Sequence, residues 1–149
     1  MRIREARVED AAAACDVLRR SIVELCAADH GNDPALLDPW LANKTPENVL
    51  AWMAETHLLV AEEDGRLLGV AGLSSAGRVT LNYVAPEARF RGVSAALLQA
   101  LEDKAAQLGC RTCTLESTKT ARRFYEARGY RGRDGDAPYA PMVKDLPAR

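Results

Sequence analysis

One stretch of the 149-residue chain limits its fold more than any other. A run rich in β-branched and aromatic residues, Arg78 to Val84, is stopped by Pro86. The turn Arg89-Phe90-Arg91-Gly92-Val93-Ser94 follows, and then an apolar pattern of helical period from Gly92 to Leu108. A strand that turns tightly into a helix leaves several backbone N–H groups aimed at one point. The helix dipole adds partial positive charge there, so the turn suits a phosphate or pyrophosphate. Gly92 lets a ligand approach the backbone closely, and Arg89 and Arg91 offer charge-assisted hydrogen bonds. The plainer account is a solvated arginine pair beside an ordinary glycine, since short glycine motifs recur by chance.

Around this stretch the chain alternates strands and helices with short connections. Ile3 to Ala6 reads as a strand. Ala14, Leu18, Ile22 and Leu25 recur at helical spacing and predict a helix from about Glu9 to Ala28, ended by Gly31-Asn32-Asp33-Pro34. Residues 34–44 show no regular period. Thr45-Pro46-Glu47 has the makings of a helix start, with Thr as N-cap and Pro in the first turn. His57 to Glu62 and Arg66 to Ser74 flank Glu63-Asp64-Gly65, a hairpin signal. Val93, Ala96, Leu97, Ala100, Leu101 and Leu108 mark the buried face of the long helix, which Gly109 closes. Arg111 to Glu116 predicts a fifth strand and Thr118 to Arg128 a short helix. Gly129-Tyr130-Arg131 and Tyr139 to Asp145, around a polar loop at Asp134-Gly135-Asp136, predict the last two strands. The sum is a mixed α/β domain spanning residues 1–149.

Twenty basic residues against 21 acidic ones give a net charge of −1, which lends no support to nucleic-acid binding. No apolar run approaches the roughly 18 residues of a membrane span, and no signal-peptide pattern opens the chain. The cytoplasm is the expected compartment, and Cys15, Cys26, Cys110 and Cys113 are expected to stay reduced. Cys110-Arg111-Thr112-Cys113 lacks a second ligand pair at zinc spacing, and thiols on a strand need not face one another. These cysteines read as small buried hydrophobes, with no metal expected.

A second block lies downstream: Thr118, then Ala121, Phe124-Tyr125, Gly129 and Tyr130. With Arg89, Gly92 and Ser94 upstream, the chain resembles the GNAT superfamily of acyl-CoA N-acyltransferases. That family's first signature is Arg or Gln, two residues, Gly, one residue, then Gly or Ala. Its second is Asn or Ser, two residues, Ala, two residues, Phe-Tyr, three residues, Gly and an aromatic. Ser94 and Thr118 depart from these patterns, but both are small and carry a hydroxyl. The resemblance spans nearly the whole chain. It implies a mostly antiparallel central sheet of about seven strands flanked by about four helices. It also implies acetyl-CoA as cosubstrate, with the amides of Arg91, Gly92, Val93 and Ser94 on its pyrophosphate and the strand edge at Tyr83 and Val84 along its pantetheine arm. A Rossmann site and a Walker loop both lack their glycine or Gly-Lys-Ser/Thr patterns here.

By the same resemblance, Tyr125 is the general acid that protonates the departing thiolate. A phenol with a reference pKa of about 10 is apt for that step; the plainer reading of Tyr125 is a packed core aromatic. Glu116, Glu24, His30 or a strand-bound water are candidates for the base, with no choice among them. The family holds its acceptor in the region of residues 21–55, which here carries Glu24, Asp29, Asp33, Asp38, Trp40 and Trp52. Carboxylates attract an amine and aromatics stack on it, although a solvated acidic loop with two core tryptophans accounts for most of them. The expected activity is acetyl transfer to a primary amine of a small molecule, peptide or protein. Two rival readings are a non-catalytic CoA-binding module and an anionic-partner patch at Arg122, Arg123, Arg128, Arg131 and Arg133. Exposed sheet edges near the C-terminus are compatible with a homodimer.

Overall fold

In the computed structural model, which describes residues 1–132 and 141–147, the seven strands form two antiparallel sheets and not one. Strands β1 (Arg2–Glu5), β2 (His57–Glu63), β3 (Arg66–Leu73) and β4 (Val79–Val84) pair in that order. Strands β5 (Thr112–Glu116), β6 (Arg131–Gly132) and β7 (Pro141–Asp145) form the second sheet, with β7 in the middle. The β2–β3 hairpin turns at Asp64-Gly65 with φ of 52° and 75°, the left-handed pair that Asp-Gly tolerates. The predicted polar loop at 134–136 and the first two residues of the predicted strand 139–145 lie outside the described residues.

Among the described residues one bridge joins the two sheets. Arg78 and Thr114 form a parallel bridge, and the Thr114 N–H donates to the Gly77 carbonyl at 3.0 Å. Gly77 has φ of 86°, and a Cβ there would stand 2.6 Å from the Thr112 carbonyl oxygen, so only glycine permits this approach. Beyond it β4 and β5 diverge. Among the described residues the outer edge of β4 past Val79 has no paired strand, and a wedge opens between the sheets.

Six helices surround the sheets among the described residues, two more than expected: α1 (Ala11–Leu25), α2 (Ala27–His30), α3 (Pro34–Ala42), α4 (Pro46–Glu55), α5 (Val93–Gln107) and α6 (Arg122–Glu126). Both α1 and α5 pack on β3, whose residues Leu68 to Leu73 are all buried. That is why β3 reads as a continuous apolar run without alternation. Ala14, Leu18 and Ile22 of α1 and Val93, Leu97 and Leu101 of α5 are buried as their spacing predicts. Leu108 is not on the buried face; it follows α5 and is 42% exposed.

Three helices depart from expectation. The predicted helix 9–28 ends at Leu25, and a short α2 restarts after Cys26 before Gly31, at φ of 56°, stops it. Residues 34–42, with no period in the sequence, form α3: Asp33 caps it by accepting from the Ala35 N–H at 3.0 Å, and Pro34 opens its first turn. Pro39 forfeits one helical bond, and α3 buries no residue fully. The helix after β5 is only Arg122–Glu126, not 118–128. No helix of the described residues is long and apolar enough to cross a membrane.

Candidate active site

A cleft of about 540 Å³ lies in the wedge between β4 and β5. Val79 to Val84 form one wall, the turn into α5 closes one end, and Leu115, Glu116 and the start of α6 form the other wall. Ser21, Leu25 and Cys26, from the C-terminal end of α1 and the residue after it, complete it.

The α5 end is built for an anion. Gly92, at φ of 78°, is the N-cap, and the Ala96 N–H makes the first helical bond, to the Gly92 carbonyl at 3.0 Å. The amides of Val93, Ser94 and Ala95 in the first turn therefore have no helical carbonyl to bond. A Cβ on Gly92 would meet nothing within 4 Å, so the backbone faces open space. Gly92, Val93, Ser94 and Arg89 all line the cleft. Arg91 does not: its guanidinium binds the Glu63 carboxylate, and that pairing holds the carboxyl below its ordinary range.

Tyr83 and Val84 line the wall on the open edge of β4. The Tyr83 hydroxyl accepts a hydrogen bond from Trp40 Nε1 at 3.4 Å, which ties α3 to this edge, and burial pushes the phenol up to about 12. Opposite, Thr118 lines the cleft, and its Oγ1 accepts from the N–H of Ala121, the residue that precedes α6, at 3.2 Å. Asp29 of α2 reaches across to the same loop, accepting from the Lys119 N–H at 2.6 Å and from the Thr120 hydroxyl.

Tyr125 satisfies both readings of its sequence position. Its ring is packed edge-on between Phe124, at 5.1 Å, and Tyr130, at 5.7 Å, and the residue is 7% exposed, yet it lines the cleft. Burial pushes its phenol up to about 12, and the Asn82 side-chain amide opposes that shift. Asn82, on β4, donates from Nδ2 to the Ser94 carbonyl at 3.4 Å. Among the described residues its buried Oδ1 finds no hydrogen-bond donor. Nothing in the sequence singled out Asn82, because its meaning lies in the approach of α5 and α6 to β4.

The candidate bases separate. His30 is 1% exposed, with Nε2 donating to the Ile22 carbonyl at 2.8 Å and Nδ1 accepting from the Asn32 N–H at 2.9 Å. Both nitrogens are used in closing α2, and His30 is away from the cleft lining. Glu24 is exposed beside Arg20 and is also absent from the lining. Glu116 alone among the described carboxylates lines the cleft, half-exposed and 3.5 Å from Arg78. Of the acidic residues expected near the acceptor, Asp33 caps α3 and Asp29 braces the Thr118 loop.

The thiols are unpaired, Cys15, Cys26 and Cys113 being buried and Cys110 half-buried. Burial holds the Cys26 thiol, in the cleft, up at about 12, far from a nucleophilic thiolate at neutral pH. The described residues contain no group of three His, Cys, Asp or Glu spaced to hold a metal ion. Of the arginines near the C-terminal end, Arg122 pairs with Glu126, Arg131 pairs with Asp145, and Arg128 stacks on Phe124; Arg133 lies outside the described residues.

Comparison with known proteins agrees with this architecture. An acetyltransferase (GNAT) domain model matches residues 29–140. The uncharacterized N-acetyltransferase YhfO of Bacillus subtilis (strain 168) is 32% identical over the full length of both chains. The peptidyl-lysine N-acetyltransferase YiaC of Escherichia coli (strain K12) is 29% identical over 65% of this chain and 75% of its own. The PaiA N-acetyltransferase of Thermoplasma acidophilum, solved in complex with coenzyme A, superposes with a TM-score of 0.86 at 20% identity, over 97% of this chain and 98% of its own. The chain belongs to the GNAT family and is an acetyl-CoA-dependent N-acetyltransferase.

Proposed function

We propose that this protein moves the acetyl group of acetyl-CoA directly onto a primary amine of a small molecule, peptide or protein, with both substrates bound at once. What supports this most is that the open first turn of α5 and the Tyr125 phenol line one cleft. The amides of Gly92, Val93 and Ser94, with Arg89 beside them, hold the pyrophosphate. The free edge of β4 at Tyr83 and Val84 pairs with the amides of the pantetheine arm, as an added strand would. Thr118, on the facing wall, keeps its hydroxyl proton available to the same arm.

The thioester supplies an activated acetyl group, and the residues supply protons and position. Glu116 draws the ammonium form of the acceptor to the mouth of the cleft and takes its proton, directly or through one water. As the new C–N bond forms and the C–S bond breaks, Tyr125 gives its proton to the sulfur, and the second proton shed by the acylated nitrogen returns through water to the phenolate, restoring the acid. The Asn82 side-chain amide, held by the Ser94 carbonyl, favours the charged form of the phenol and so eases release of the Tyr125 proton. A covalent route through Cys26 is disfavoured by the raised thiol pKa. The likeness to a peptidyl-lysine acetyltransferase puts lysine side chains among the acceptors to try first. We place the reaction in the cytoplasm, within one domain.

Steady-state kinetics over a panel of primary amines, including lysine peptides, reads thiol release. Direct transfer predicts intersecting double-reciprocal lines when both substrates are varied. Parallel lines would instead require an acetylated enzyme and would refute the ternary complex.

A further inference from the structure

Phe90 breaks two local rules at once. It holds a left-handed backbone at φ of 66°, unfavourable for a bulky side chain, and the residue is 91% exposed. Residues that break such rules tend to be retained where a ligand offsets the cost. Phe90 sits between the two arginines of the turn, two positions before the α5 N-cap, and lines the cleft at this end. The Arg89 guanidinium lies over the ring, 4.6 Å from its centroid, yet Phe90 stays open to solvent. Arg91, the remaining cation of the turn, is turned away to Glu63.

A solvent-open ring with a guanidinium over it, next to an amide turn that suits a pyrophosphate, matches a planar heteroaromatic base carrying phosphates. Phe90 precedes the Gly92 N-cap by two residues and lines the same end of the cleft as the free amides of that turn. We propose that Phe90 is the stacking platform for the adenine of the acetyl donor, with Arg89 beneath it, so that the protein selects nucleotide-bearing thioesters over bare pantetheine thioesters. This rests on the acetyl-CoA site described above and adds to it a specificity element outside the reacting centre.

The test compares wild type, Phe90→Gly and Phe90→Trp for binding of acetyl-CoA and of acetyl-4′-phosphopantetheine, which lacks the nucleotide, alongside thermal melting. Base–aromatic stacking of ordinary strength predicts that Phe90→Gly loses about tenfold or more in affinity for acetyl-CoA and nothing for the short thioester. Phe90→Trp keeps wild-type affinity. Because glycine relieves the left-handed strain, Phe90→Gly melts no lower than wild type, which separates lost stacking from lost folding. Unchanged acetyl-CoA affinity in Phe90→Gly overturns the proposal. So does an equal loss for both thioesters, which assigns the effect to the shape of the turn. A rise in KM for the amine alone also overturns it, by giving Phe90 to the acceptor. Wild type that binds acetyl-CoA but is indifferent to Phe90 leaves the cofactor site standing; wild type that binds neither thioester removes both.

Discussion

At the scale of single side chains, Tyr125 has its ring packed between two aromatics while its hydroxyl shares the cleft with Asn82. A phenol pushed up to about 12 is fully protonated at neutral pH, as a proton donor requires. Tyr125→Phe keeps the packing, so kcat is predicted to fall on the order of a hundredfold while acetyl-CoA affinity stays within about twofold. In the wild type, turnover rises with pH as more acceptor amine is neutral, and it does not lose the phenolic proton until pH nears 12. The same shift acts on stability. The folded pKa lies above the ordinary value, so the contribution is full below about pH 10 and is lost as pH rises toward the folded value. Unchanged turnover in Tyr125→Phe would return the residue to packing alone.

At the scale of elements, the decisive piece is the turn from β4 into α5. Gly92 is left-handed and faces open space, so Gly92→Val adds backbone strain of about 1–2 kcal/mol and places a branched side chain over the free amides. Acetyl-CoA affinity is predicted to drop more than tenfold, measured by titration, with only a modest fall in melting temperature. This turn was legible in the sequence because its signals are local: a β-branched run, a proline, then a glycine before an apolar helical period. The Asp64-Gly65 hairpin and the Thr45-Pro46 helix start were legible for the same reason. Helix α3 was not, since Pro39 interrupts its period and Asp33-Pro34, which open it, also read as the end of the helix before. The break at Cys26 and the shortness of α6 were hidden too, because capping bonds and tertiary contacts set those ends. Within the cleft, Arg89, Gly92, Ser94, Thr118 and Tyr125 come from the two spaced motifs and Tyr83 from the strand edge that the resemblance implied, whereas Asn82 and Phe90 acquire meaning only once α5 and α6 meet β4. Arg91 shows the converse: its charge invited an anion, but Glu63, 28 residues away in sequence, is its partner.

At the scale of the whole molecule, the wedge exists because two sheets are joined at one bridge and held at fixed separation by what packs behind them. Glu102 is central to that. Buried at 6% exposure on α5, it accepts from the Tyr130 hydroxyl at 2.9 Å and the Lys144 ammonium at 2.8 Å, linking α5 to β7 and to the residue just before β6. Glu102→Ala strands both partners, and since Lys144 remains partly solvated the predicted loss is about 2–3 kcal/mol, read as a lower denaturant midpoint at constant m. Glu102→Gln, which keeps one acceptor oxygen for Lys144 and turns an amide N–H toward the Tyr130 oxygen, costs less. The claim that depends on the entire arrangement is that the wedge is an acetyl-CoA site, and calorimetric titration of the wild-type protein tests it most directly, with NADH and ATP as controls. Binding of acetyl-CoA at one site per chain with micromolar affinity, and neither control binding comparably, is the predicted result. Absence of acetyl-CoA binding, or equal binding of NADH, would contradict it.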